Sequence, residues 1–113
     1  MIDGYRFGSM DIAGTTYQAD LKIIGQQVIP HWWRKEGHKV FVEDILDILE
    51  AQPSVLVIGC GSPGMMKPSN EVRRVCADKG IELIHEPTEA AVRTFNALVK
   101  AGKKVAGAFH LTC

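Results

Sequence analysis

The sequence predicts a three-layer α/β domain with a mixed central sheet: antiparallel strands at the N-terminal side, then a C-terminal β-α-β-α-β unit. Two observations carry this. Val55-Leu56-Val57-Ile58 is an apolar run, mostly β-branched, that passes straight into Gly59-Cys60-Gly61-Ser62-Pro63-Gly64. A strand reads this way when helices cover both of its faces. Ahead of it, Tyr17, Ala19, Leu21 and Ile23 alternate with Gln18, Asp20 and Lys22, the period-two pattern of a sheet with one wet face.

In chain order, residues 7–12 read as a weaker strand. It joins the alternating one through Ala13-Gly14-Thr15, where glycine supplies the positive φ of a tight hairpin. A third strand extends from Gln27 to about Trp33; Pro30 cannot donate to a ladder, so it belongs at an edge or carries a bulge. Residues 34–39 are a polar link. Val42, Ile45, Leu46 and Leu49 then fall at i, i+3, i+4 and i+7, one buried stripe of a helix, with Glu43, Asp44 and Asp47 facing away and Pro53 closing it. From Ser54 the pattern alternates: strand 54–58, helix 69–79 stopped by Gly80, strand 81–85, a helix capped by Thr88, and strand 105–111. Ala91, Val92, Phe95, Leu98 and Val99 form the last helix's buried stripe. Short connections and right-handed crossovers make the three C-terminal strands parallel. Residues 1–113 form a single domain with no repeat or linker.

Composition narrows the function classes. Thirteen basic residues balance thirteen acidic ones, and the densest basic pairs are only Arg73-Arg74 and Lys103-Lys104. No net field draws in nucleic acid or an anionic membrane. The first residues carry no charged-then-apolar leader, and no apolar run approaches the ~20 residues of a membrane span. Cys60, Cys76 and Cys113 are an odd count with no short spacing, which points to free thiols in a reducing cytoplasm.

Three stretches carry candidate chemistry. Residues 59–64 match G-x-G-x-x-G after a strand, the pattern that brings backbone N–H groups to a pyrophosphate. Pro63 and Pro68 delay the helix, and no acidic residue stands at the expected distance. The reading left is a tight turn needing small residues, or a cradle for an anion or substrate carboxylate with Ser62 and Lys67 beside it. Cys60, at a strand end near a helix N-terminus, has the placement of a nucleophile, with His85 and His110 ending adjacent strands as candidate bases; the alternative is a small buried Cys and two hydrogen-bonded histidines. No cysteine–histidine spacing fits a metal. His31-Trp32-Trp33-Arg34 is the third: on a strand the two tryptophans face opposite ways, and one left exposed beside Arg34 has the composition of a binding hot spot.

Several motifs together resemble a known family. They are Tyr5-Arg6-Phe7-Gly8 with Ile12-Ala13-Gly14-Thr15-Thr16-Tyr17, Trp33-Arg34 followed by Gly37-His38, Val57-Ile58-Gly59-x-Gly61, Pro87-Thr88-x-Ala90, Phe95-Asn96-x-Leu98 and Phe109-His110-x-Thr112-Cys113. The order and spacing resemble the small-domain family that includes the adipogenesis-associated domain protein of animals and a mitochondrial complex I assembly factor, in its compact prokaryotic form. The resemblance implies a three-layer α/β domain with a mixed sheet. It implies no reaction, catalytic residue or cofactor, and its better-studied members act through protein partners.

The expectation is therefore a cytoplasmic binding or assembly module without cofactor or metal, engaging a protein partner or a second copy through Trp33, Arg34 and His38. The alternative is a small-molecule or anion binder, or a small enzyme. Its cleft would lie at the C-terminal ends of the parallel strands, lined by Gly59, Cys60, Gly61, Ser62, Gly64, Lys67, His85, Glu86 and His110. Leu46 and Phe95 are expected in the core, where truncation to alanine costs about 2–5 kcal/mol.

Overall fold

The computed structural model describes residues 1–113. Ten strands and three helices follow in order: β1 (Ile2–Arg6), β2 (Ser9–Ile12), β3 (Thr15–Tyr17), β4 (Leu21–Ile24), β5 (Gln27–Ile29), β6 (Lys39–Val40), a 3-10 turn (Val42–Ile45), α1 (Leu46–Ala51), β7 (Val55–Cys60), β8 (Lys67–Pro68), α2 (Asn70–Asp78), β9 (Glu82–Glu86), α3 (Thr88–Lys100) and β10 (Val105–His110). The main sheet has the order β5-β4-β10-β7-β9. β10, β7 and β9 are parallel, while β4 runs antiparallel to β10 and β5 antiparallel to β4. β5 holds an edge, as Pro30 after it requires.

β7 is buried along its whole length because it has cover on both faces. Leu56, Ile58 and Cys60 face a core built with Ile45, Ile48, Leu49, Val72 and Cys76 from the α1 and α2 side. Val55 and Val57 face a second core with Ala91, Val92 and Phe95 of α3. The antiparallel sheet β1-β2-β3 closes that second core with Ile2, Met10 and Ile12. Asn96 ties it down: its side-chain amide accepts from the Ile2 N–H at 2.8 Å and donates to the Ile2 carbonyl at 2.8 Å.

Several boundaries differ from the sequence reading, each for a local reason. Phe7 is not inside a strand; Phe7-Gly8 is the turn between β1 and β2, with Gly8 at φ 84°. The alternating segment 17–23 breaks into β3 and β4, because the Asp20 carboxylate turns to the Leu111 N–H and its carbonyl accepts from Trp32 N. The expected strand 27–33 stops at Ile29, before Pro30. β6 and β8 pair in parallel where only loop was expected. β7 runs two residues beyond Ile58, so Gly59 and Cys60 belong to the strand. Thr88 is not the cap of α3; Pro87 holds that position, and the Thr88 hydroxyl is spent elsewhere.

The first helix shows why its stripe was misread. It opens as a 3-10 turn, which advances about 120° per residue instead of about 100°. The phase slips, so Ile45, Ile48 and Leu49 are buried while Leu46 is 58% exposed. Asp44, expected to face away, is buried; its carboxylate accepts from the Phe41 N–H at 2.8 Å. Leu46→Ala is accordingly expected to shift the unfolding free energy by no more than about 0.5 kcal/mol in a urea titration. A loss above about 2 kcal/mol would mean the phase slip is wrong.

Candidate functional site

The C-terminal ends of β7, β9 and β10 form one end of the molecule, and the chain folds most of its unusual residues there. β4 starts at this end, since Leu21 pairs with Phe109. The β1–β2 turn joins it through Gly8 N donating to Leu111 O, and the loop after β7 through Ser62 N donating to Thr112 O. Lys67 N donates to His38 O, which fastens the β5–β6 connection to β8.

A buried charge cluster lies at the centre of this end. The Arg34 guanidinium donates to Asp20 Oδ2 at 2.7 Å and to the Gly37 carbonyl at 2.9 Å. It also lies 4.7 Å from the centre of the Trp32 ring, within the range of a cation–π contact. His110 Nδ1 is 2.8 Å from the same Asp20 oxygen, so Nδ1 carries a proton and donates to the carboxylate. The other Asp20 oxygen accepts from Leu111 N at 2.8 Å. Burial alone would push the Asp20 carboxyl up. The bonds from His110, the Leu111 N–H and Arg34 outweigh it and hold the carboxyl below its usual range. Arg34 Nε and His110 Nε2 are buried without a partner.

The glycine loop proves to be a packing device. The Gly61 N–H donates to Thr88 Oγ1 at 2.8 Å, and that hydroxyl donates to the His110 carbonyl at 2.6 Å. Ser62 N is used by Thr112 O and Met66 N by Cys60 O. These donors are turned inward, and α2 does not open until Asn70, so the anion-cradle expectation does not hold for them. Gly59 must lack a side chain because a Cβ there would stand 2.8 Å from Phe109 Cδ1 and 2.9 Å from Thr88 Oγ1. Gly61, at φ 90°, lies over His110; its Cβ would come within 2.7 Å of His110 Cδ2. Gly64 packs against Pro87, and Ser62 is exposed.

Cys60 is fully buried, and its thiol makes only a long contact with the Ile58 carbonyl at 3.9 Å. Burial pushes the thiol up, away from the thiolate, with Lys67 only partly offsetting it. His110 pairs with Cys60 in register but turns Nδ1 to Asp20, while His85 pairs with Ile58 and meets Arg73 Nη1 at 3.2 Å. The proposed cysteine–histidine pair is not assembled. Iodoacetamide is expected to label exposed Cys113 in the native protein and leave Cys60 and Cys76 unmodified until denaturant is added. Labelling of Cys60 at the rate of Cys113 would restore it as a candidate nucleophile. Glu86 accepts from the Thr94 hydroxyl at 2.6 Å, Lys67 is exposed, and His85 is half-buried at the sheet edge.

The cleft expected at this end is not one of the surface's marked concavities. The two concavities of the surface lie elsewhere. One of about 430 Å³ opens at the opposite end between Gln52, Pro53, Lys79 and Gly80. One of about 360 Å³ runs between Met1, Ile12, Ile23, Val28 and Phe95. What this end presents instead is apolar surface: Trp33 is 78% exposed, Phe7 63% and Met65 55%. Trp32, its neighbour, is buried with its indole N–H donating to the Asp44 carbonyl at 2.9 Å. His38 is exposed, and its ring meets His110 edge-on at 6.2 Å. Sequence reasoning missed Asp20, whose partners lie 14 and 90 positions away, so no local spacing marks it. It also missed Phe7, read as a strand residue, and Met65.

Comparison with known proteins agrees with the fold. The model of a family described as "Protein of unknown function (DUF498/DUF598)" matches residues 2–110. The structure of the protein MT938 superposes with a TM-score of 0.83 at 28% identity, over 100% of this chain and 98% of that one. The conserved hypothetical protein PH1505 of Pyrococcus horikoshii gives 0.84 at 25% identity, over 100% and 99%. A Bordetella pertussis protein described as a Mth938-like domain gives 0.72 at 18% identity, over 98% and 85%, and bears on fold alone. The family resemblance traced from Tyr5 to Cys113 thus holds over nearly the whole length, and the chain belongs to the DUF498/DUF598 family of proteins of unknown function.

Proposed function

We propose that the domain is a protein-binding or assembly module, and that the end bearing Trp33 is its docking surface. The observation that supports this is an exposed tryptophan on a pinned support. Trp33 lies between Trp32, buried in the core, and Arg34, locked by Asp20 and the Gly37 carbonyl. With its neighbours fixed, the backbone at Trp33 has little freedom left to lose when the ring is covered, so more of that burial counts toward affinity. Phe7 and Met65 give the same end further apolar area. The ligand-binding and enzyme alternative needs a cleft beside residues 59–64, and both concavities lie away from them.

The test is photocrosslinking of the full-length chain, with p-benzoylphenylalanine at position 33 and, as control, at position 100. In an extract of its own cells, a discrete adduct is expected from position 33 and none from position 100. Met65→Ser should weaken that adduct while leaving the urea midpoint unchanged. Equal or absent adducts from both positions would overturn the reading.

A further inference from the structure

One strand pair at the docking end sets two cations side by side, in a chain whose charges balance overall. Lys39 on β6 and Lys67 on β8 are direct register partners, and both are exposed. Like charges set opposite each other on paired strands repel, and neither lysine has a carboxylate within ion-pair distance. Four other cations are ion-paired, Arg6 with Asp11, Lys22 with Asp47, Arg34 with Asp20 and Arg93 with Glu89, while Lys79, Lys100, Lys103 and others stand unpaired too; what sets Lys39 and Lys67 apart is that they face each other across paired strands. Arg73, in the first turns of α2 beyond β8, also lacks an acid partner; it meets only His85. Burial, then Arg73, then Lys67 hold the His85 imidazole below its usual value against an opposing pull from Glu86, so both cations are felt at one place. Glu36 bridges to Lys39 through the backbone without an ion pair, and Glu86 accepts from the Thr94 hydroxyl but pairs with neither lysine nor Arg73.

This strip adjoins the docking end along the chain. Lys67 follows Met65 by two residues, and Lys39 follows His38, whose carbonyl takes the Lys67 N–H. We propose that the partner segment is acidic and amphipathic, its carboxylates meeting Lys39, Lys67 and Arg73 while a large apolar side chain covers Trp33 and Met65. Complementary charge relieves the lysine pair and sets the register of the bound segment; the aromatic supplies the desolvated contact. The proposal rests on the docking reading above and adds the chemistry of the partner.

The experiment is a titration of the full-length protein, followed by amide and indole NMR shifts, with a synthetic peptide alternating glutamate and leucine. Its glutamine counterpart serves as the uncharged probe. Saturable shifts are expected at the Trp33 indole and at Lys39, Met65, Lys67 and Arg73. Lys39→Gln with Lys67→Gln should weaken binding by about tenfold, and added salt should do the same to the unaltered protein. Equal binding of the glutamine peptide would overturn the proposal, as would the same shifts produced at lower concentration by single-stranded RNA or phosphatidylserine vesicles. If position 33 still crosslinks a protein whose adduct is insensitive to the two lysine changes, acidic recognition fails and the docking reading stands. If position 33 crosslinks nothing, both fail.

Discussion

Asp20→Asn is expected to lower the unfolding free energy by about 3–5 kcal/mol, because it leaves a buried guanidinium without its counter-charge. The Arg34 side chain is only 5% exposed, and its shortest bond is the 2.7 Å contact to Asp20 Oδ2. The same oxygen takes His110 Nδ1, and the other takes Leu111 N, so one carboxylate joins β4, β10 and the loop that carries Trp33. An amide keeps the volume but removes the charge and one acceptor. The urea midpoint of the variant reports the loss. Asp20→Asn combined with Arg34→Met should lose less than the two single changes added, since the second removes the charge the first strands. A single-variant loss under about 1 kcal/mol would mean that water, not the carboxylate, satisfies Arg34.

The same network sets the acid limb of stability. Asp20 is held below its ordinary carboxylate value in the folded chain. A group depressed on folding contributes stability that is fully present above its unfolded pKa, about 3.9, and is lost as pH falls through the lower folded value. Stability near neutral pH is therefore flat with respect to Asp20, and the loss belongs below about pH 4. Asp20→Asn should be less stable than the parent at pH 7 and converge toward it on acidification. A gap between the two that stays constant down to pH 2 would contradict this.

What was legible in the sequence is what local periodicity encodes. Val55 to Ile58 could only be a strand covered on both faces, and Ala91, Val92 and Phe95 marked the inner face of α3. The resemblance carried the fold further, since its motifs are distributed over every layer. The site was less legible because its parts meet only in three dimensions. Asp20 looked like one more wet residue in an alternation, yet it holds residues from three places in the chain. Glycines 59 and 61 looked like ligand-contacting residues, but their lack of Cβ atoms serves Phe109, Thr88 and His110. Trp33 was singled out by composition. That it, rather than Trp32, is the exposed one depended on Pro30 ending β5 and on Arg34 finding Asp20, neither of which periodicity records.

Phe95→Ala should remove about 3–5 kcal/mol, a large part of the ~5–15 kcal/mol that holds a domain of this size. Phe95 is buried on the inner face of α3 and meets Phe109 of β10 edge-to-face, with ring centres 5.6 Å apart at 81°. That geometry adds to simple burial. Both rings fit because β7 and β10 present glycines beneath them: a Cβ at Gly107 would stand 3.0 Å from Phe95 Cε1 and 2.9 Å from Phe109 Cζ. Gly107→Ala should therefore also destabilise the parent, since neither ring has room to retreat in a packed interior. In the Phe95→Ala background the space left by the lost ring lets Phe109 give way, and the cost of Gly107→Ala should shrink. Residues in such direct contact couple by about 0.5–3 kcal/mol. A double-mutant cycle in urea measures the difference, and strictly additive costs would show that the ring pair and the glycine do not share one space.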